Sequence, residues 1–570
     1  MTRRLSLTTA VNQNYENTLP LSASPDLERS DHQLRTIYST DSARASDGVT
    51  DFADSDRSGA VREPLKFNSS LEEETQLNTL TYYEILQSNW QLIIMCFGIA
   101  FTGLFFGYDT GTIGGITNMQ PWLKRFGYYN QSTLEYEMST TIVGIIVSSF
   151  HVGCVCGGFT IARLSDTLGR RTPIAIACVV YTIGLAVQIA SKRWYQFMIG
   201  RVITGLTVGA NAVLAPMFLS EIAIPNIRGI IVNFYQIALT HGILFGYVAD
   251  YAAKENYRGS KMWRLPLIGG FIFSLIILPM LAFVPESPRY LIQKGKFEEA
   301  KKCIARLKGK HRTILKSESE FEDVTYVDEV NEEFEFLKAV YHLQEHQQRH
   351  TNFWALFSKR FIKRTVSGMC IMGFQQLSGI DYFLYYGTKL FESVGIDDSY
   401  ITSIILGAIN AAMAYVSILV ADNVGRKRGL FWGSMGCFIC LFIFSTIGVT
   451  MIDHGGANNT KVPGIIMIVF TCLFLVLFSC SWSAIAPVLI SEIFTMEIKS
   501  KAMAFSQSFN WGANFFIALC TPIITAHIGY GFGYVFAGSM FVAVIFVHFV
   551  IPETKGMTLE EIDDYYEGRS

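Results

Sequence analysis

Amide side chains stand inside otherwise apolar runs of this chain: Gln236, Gln375, Gln376, Asn410 and Asn510, with Asp381 and Trp511 near them. One amide offers a donor and an acceptor without net charge. In a low dielectric such a set does one of two things. It holds a neutral ligand covered in hydroxyls against an aromatic wall, or it ties helices together at ~1–2 kcal/mol per contact at best. Asp109 and Arg201 are costlier. A charge at the centre of a membrane helix costs ~2.5–3.5 kcal/mol on insertion scales, so each needs a cavity or a partner. Paired, the two cancel. The apolar runs contain no nucleophile–base set, metal-ligand cluster or phosphate-binding glycine loop, which argues against an enzyme and against any cofactor. His151, Cys154 and Cys156 lie close together but read as buried groups on a helix rather than a metal site.

The elements that position these residues follow from hydropathy. The chain has 570 residues, 50% hydrophobic and 16% charged, with a net charge of −2 and a mean hydropathy of +0.30. An ordinary globular domain carries roughly 25% charged residues. The near-zero net charge points to no nucleic acid or other polyanion. Eleven cysteines are scattered, mostly inside apolar runs, and make no disulfide framework. Apolar stretches near the ~20 residues needed to cross a bilayer recur about twelve times. They are expected at 91–111, 138–161, 172–190, 195–220, 230–251, 265–284, 365–391, 400–421, 429–452, 463–493, 502–528 and 532–551. Backbone amides in lipid need partners within their own segment, so the chain is predicted to be an all-α polytopic membrane protein.

The second half echoes the first. Leu168-Gly169-Arg170-Arg171 returns as Val424-Gly425-Arg426-Lys427, Ser220-Glu221-Ile222 as Ser491-Glu492-Ile493, and Pro285-Glu286-Ser287 as Pro552-Glu553-Thr554, at nearly constant separation. A duplicated hydrophobic unit predicts two pseudo-symmetric six-helix bundles that rock about a central site, which is the plan of a carrier. Arg170, Arg171 and Arg426 are expected to reach Glu221, Glu286 and Glu492 across the interface between the halves, as a clamp.

The loops that carry Arg163, Arg170, Arg171, Arg426, Lys427 and Arg428, with the basic stretch 289–364, outweigh the opposite loops in Lys and Arg. The positive-inside rule puts these loops and both termini in the cytosol. Asn130-Gln131-Ser132 and Asn458-Asn459-Thr460 then become extracellular glycosylation sequons, while Asn68 is cytosolic and inert. The expected organisation is a disordered cytoplasmic tail over 1–85, an N-terminal bundle over 86–284, a linker with amphipathic helices over 285–364, a C-terminal bundle over 365–551 and a short tail over 552–570. The start of the chain leads into no apolar core, so no signal peptide is expected. The tail's hydroxyls and charges suit regulation by proteins that act on it.

The ordered motifs Phe106-Gly107-Tyr108-Asp109, Gly200-Arg201, Ser220-Glu221-Ile222, Pro285-Glu286-Ser287-Pro288-Arg289, Gln375-Gln376-Leu377-Ser378-Gly379, Gly425-Arg426-Lys427 and Pro552-Glu553-Thr554-Lys555-Gly556 resemble the sugar porter family of the major facilitator superfamily, and most of all its fungal hexose transporters. The resemblance covers about residues 90–565. It implies the major facilitator fold, a glycoprotein of the plasma membrane, and a small-molecule sugar moved by alternating access. It implies sugar contacts at Gln236, Gln375, Gln376, Asp381, Asn410, Asn510 and Trp511. Phe383, Tyr385 and Tyr386 fall on the gate segment, and Phe478 and Trp482 on a lining helix. Asp109 matches the acid that carries the coupling proton in the family's symporters, yet fungal facilitators keep it, so the resemblance implies facilitated diffusion with proton symport as the alternative. Asp381 departs from the family's usual Asn. A non-transporting sensor on the same scaffold is disfavoured because little chain follows Ile551.

Overall fold

The computed structural model describes residues 90–131, 134–223, 228–308, 330–339, 341–342, 352–392, 399–453, 461–495, 498–555, 557 and 559–567. The tail over 1–85 and the Asn458 sequon lie outside them. Ten helical stretches are long and apolar enough to cross a membrane; the last, Lys501–Val550, holds two helices joined by a short turn. A broken helix between the sixth and seventh of these stretches supplies a further span, so twelve spans are present among the described residues.

The first span is Trp90–Ala100 followed by Gly103–Ile116, with a kink where the Thr102 hydroxyl donates to the Ile99 carbonyl at 2.7 Å. Thr140–Leu168, Arg171–Ala190, Trp194–Ile222, Arg228–Asn256 and Ser260–Phe283 follow as spans two to six. The seventh breaks after Ile362–Gln376 and resumes as Ile380–Glu392. Gly379, at φ +86°, makes the break, since a side chain is strained in that left-handed region. Ser399–Val424 and Arg426–Ile447 are spans eight and nine. The tenth runs Lys461–Phe478, a wide turn Ser479–Ser483, then Ala484–Ile493. Pro487 accounts for the wide turn. Proline lacks the N–H that would reach the carbonyl four residues back, and the wide turn ends at that residue, Ser483. Lys499–Ile528 and Phe532–Val550 close the set.

Small residues let the first half pack tightly. Gly103, Gly107 and Gly111 of the first span lie on the backbone of the fifth, where a Cβ at Gly107 would run into the Leu239 carbonyl. Two large cores result. One is drawn mainly from spans one to six but includes Tyr385, Tyr400, Trp511 and Ala518. The other is drawn from the second half but includes Ile243 and Tyr247. These intruders mark where the halves meet: second span against eleventh, fifth against eighth, first against the Ile380–Glu392 piece of the seventh.

The linker contains Pro288–Gln293, N-capped by Ser287, then Phe297–Lys308 and a helical stretch over 330–339. Their apolar faces form a small core with Tyr290, Cys303, Ile304 and Phe334. The last residues are more than a tail: Leu559–Glu567 is a helix, anchored where Arg364 donates to Asp563 Oδ1 at 2.5 Å. A two-stranded hairpin, Tyr128–Asn130 with Glu135–Glu137, follows the first span. Asn130 sits on it, its amide donating to Glu137 Oε2 at 2.9 Å.

Candidate functional site

The break in the seventh span delivers Gln375 and Gln376 at the end of one helix and Asp381 in the first turn of the next. Opposite them the eleventh span presents Asn510. Its Nδ2 donates to Gln375 Oε1 at 3.0 Å and to the Met372 carbonyl at 3.2 Å, while its Oδ1 accepts from Gln376 Nε2 at 3.0 Å. Gln375 Nε2 in turn donates to the Trp482 carbonyl at 3.1 Å in the tenth span. Asn410 accepts from Ser479 Oγ at 3.0 Å, which joins the eighth span to the wide turn of the tenth. Gln236, from the other half, donates to Ser483 Oγ at 3.1 Å. The predicted amides therefore gather on three helices of the second half and one of the first, each bonded directly or through a neighbour to the tenth span, with the halves joined through Gln236.

The network is not saturated. Gln376 Oε1, Asp381 Oδ2, Trp511 Nε1 and Asn514 Oδ1 are buried without a hydrogen-bond partner within the protein. Buried polar atoms are ordinarily paired, so these are free to take up a hydroxyl-bearing ligand. Trp511 stands edge-on to Phe106 at 5.2 Å between ring centroids, an aromatic wall at the boundary of the halves.

Asp109 and Arg201 pair with each other, each about 2% exposed, through Arg201 Nη1 and Asp109 Oδ2. The guanidinium also lies over the Phe150 ring at 4.8 Å. The pair is thus enclosed in the first half.

The aromatics of the expected gate diverge. Tyr385 crosses to the first half, where its hydroxyl meets His151 Nε2 at 3.2 Å. Tyr386 stays in its own half and donates to the Ala518 carbonyl at 2.8 Å. Phe383 does not join the gate. It packs against Phe444 and Phe474 inside the second half, because alternate positions on the helix point away from the interface. Phe478 stacks on Phe474, and the Trp482 indole donates to Ser434 Oγ at 3.0 Å, so both are held by neighbours in their own half.

The repeated charged motifs pair, but not across the halves as expected. Arg170 Nε lies 3.2 Å from Glu221 Oε2, and Glu286 accepts from the backbone amides of Arg170 and Arg171. Arg426 Nη2 lies 2.8 Å from Glu492 Oε1, and Glu553 accepts from the Arg426 amide at 2.8 Å. Each copy closes on its own bundle. Turn, fourth-span end and sixth-span end are neighbours within one six-helix unit, and duplication repeats that neighbourhood. Arg171 contributes a backbone amide to it.

Besides Gln236, the halves are joined toward the end away from these arginines. Tyr400 donates to the Gly115 carbonyl at 2.9 Å, and Tyr247 to the Leu384 carbonyl at 2.8 Å. Gly114 and Gly144 let the backbones of Tyr385 and Leu519 approach closely. Sequence reasoning missed His151, Tyr247 and Tyr400. Nothing in local hydropathy separates a tyrosine that bridges two bundles from one packed within a bundle.

The family model for sugar (and other) transporters matches residues 95–566. The chain belongs to that family. This family member is 40% identical to hexose transporter HXT10 of Saccharomyces cerevisiae over 492 residues, which cover 85% of this chain and 87% of the relative. It is 40% identical to hexose transporter 2 of Kluyveromyces lactis over 83% of this chain and 82% of that one. Among solved structures it is similar to the major facilitator proton:xylose symporter XylE bound to 6-bromo-6-deoxy-D-glucose. The TM-score is 0.66 and the identity 27%, covering 84% of this chain and 100% of that one. XylE of E. coli is similar in its inward-open form as well, at a TM-score of 0.65. The carrier's fold is therefore the major facilitator fold, with two pseudo-symmetric bundles.

Proposed function

We infer that the protein is a transmembrane hexose transporter that works by alternating access. The observation that carries this is the uncharged amide network between the halves, with unpaired polar atoms beside an aromatic wall, in a chain similar to hexose transporters along most of its length. A neutral, hydroxyl-rich solute suits such a site, because it brings hydrogen-bonding groups and no charge to desolvate. In this reading Gln236, Gln375, Gln376, Asp381, Asn410 and Trp511 hold the sugar, while Asn510 fixes the amides that touch it. Residues 86–284 and 365–551 move as the two bodies, and the linker spans them.

Facilitated diffusion is the mode we favour, since the Asp109–Arg201 pair is self-contained and already neutral as a unit. A second reading, proton symport, draws support from the similarity to a proton:xylose symporter. The Lys and Arg excess beside the arginine motifs supports a cytosolic location for that end and for both termini, in the plasma membrane. Asn130, on a hairpin at the opposite end, would then accept a glycan.

The test is flux of radiolabelled glucose into liposomes that contain the purified carrier, with competing sugars and with or without a protonophore. Uptake that equilibrates and ignores the protonophore is expected. Uptake that collapses with the protonophore would establish symport. Hexose binding with no crossing would overturn the transport reading.

A further inference from the structure

We propose that His151 is a positioning residue of the transport cycle, a latch that holds the gate tyrosine Tyr385 and fastens the outer piece of the seventh span to the first half. The proposal rests on the transport reading above.

His151 is fully buried on the second span, and Tyr385 is 2% exposed. The imidazole Nε2 lies 3.2 Å from the Tyr385 hydroxyl, with the rings 5.8 Å apart and inclined at 72°. Nδ1 is buried without a hydrogen-bond partner among the described residues. Across the Nε2 contact one group donates and the other accepts, according to the imidazole tautomer. The ring is braced on its other sides. Phe150 stands edge-on at 5.4 Å, and Trp511 of the eleventh span lies at 6.2 Å. Phe150 in turn carries the Arg201 guanidinium, which is bonded to Asp109. A continuous run of contacts thus leads from the buried ion pair, through His151, to the gate.

The geometry of the seventh span gives this contact its consequence. The break at Gly379 lets Ile380–Glu392 tilt independently of Ile362–Gln376. Tyr386 ties that piece to Ala518 in its own half, and Tyr385, one position before it, ties it to the other half. Opening this end of the carrier must separate Tyr385 from His151, and also Tyr247 from Leu384. A leucine at 151 would fill a similar volume yet leave a buried hydroxyl unpaired, which favours the opened arrangement.

The test is hydrogen exchange of the full-length carrier in detergent, without sugar, read by mass spectrometry on peptides that cover 380–387. Four variants are compared: His151→Leu, His151→Gln, Tyr385→Phe and the His151→Leu/Tyr385→Phe double. His151→Leu and Tyr385→Phe should each speed exchange there about threefold, the factor an average hydrogen bond between membrane helices carries. The double variant should add nothing to either single change, and His151→Gln, which keeps an acceptor, should stay near the wild type. Unchanged exchange in the single variants, or additive effects in the double, overturns the latch. Should His151→Leu loosen the whole protein, including peptides from 426–447, Tyr385→Phe decides alone, since it removes one hydroxyl and no volume. The exchange measurement needs no transport, so a carrier that moves no hexose sinks the functional reading and leaves this result standing.

Discussion

Replacing Asn510 by alanine removes three hydrogen bonds to the seventh span at once, two donated by its amide and one accepted from Gln376, besides a long one accepted from Gln507 on its own helix. Bonds between membrane helices average about 0.6 kcal/mol, so the three together come to about 2 kcal/mol. Asn510 spends its side chain on protein partners, whereas Gln376 Oε1 remains unpaired. The substitution should therefore act by letting Gln375 and Gln376 wander from the positions that meet the sugar. If all of that energy serves to hold the site in shape, KM for glucose rises on the order of 30-fold. The melting temperature of the solubilised carrier falls as well, because the seventh and eleventh spans lose their polar tie. Gln376→Ala gives the contrasting pattern: it breaks one tie and removes a free acceptor, so affinity falls with a smaller loss of thermal stability. The assay is glucose counterflow in liposomes, paired with thermal unfolding followed by tryptophan fluorescence. An Asn510→Ala carrier with wild-type KM and an unchanged melting temperature would refute the reasoning.

Two further outcomes follow from contacts outside the sugar site. Arg426→Ala leaves Glu492 with a hydrogen bond from the Thr554 hydroxyl and with Lys499 as a neighbouring cation. The pair is partly buried, so the cost falls between surface and buried values, about 2 kcal/mol. It should show as a lower melting temperature, partly restored by Arg426→Lys. Because the pair lies inside one bundle, exchange at 380–387 should not change, and a change there would contradict the within-bundle assignment. Burial pushes the Cys303 thiol up to about 12 from an ordinary 9.0, with Glu286 adding to the effect and Arg306 opposing it. A raised pKa of this kind favours the neutral form in the fold, so stability from this group is lost as pH rises above the unfolded value. At pH 9 the folded carrier should resist iodoacetamide at Cys303 while the denatured chain reacts; rapid labelling of the folded protein would contradict that placement.

What was legible in the sequence was whatever a single segment or a repeat can encode. Apolar length gave the spans, since a bilayer demands helices of a fixed minimum length. The duplicated motifs gave the two-bundle plan. The amides were visible because a polar side chain in an apolar run is costly unless it is used. The break in the seventh span went unpredicted, although its Ser378-Gly379 pair was in view, because a hydropathy window averages across two residues. The helix Leu559–Glu567 was missed for a related reason: its apolar face is too short to read as anything but tail until Arg364 is seen bonded to it.

The sequence by itself determined the membrane class, the pseudo-symmetry, the family, and which polar residues had to be accounted for. Only the tertiary structure decided who pairs with whom. The arginines and glutamates of the repeated motifs close within a bundle, His151 meets Tyr385 across the halves, and Phe383 turns away from the gate. The reason is geometric. Spacing along one helix fixes the face a residue occupies, but the helix opposite that face is set by the packing of all twelve.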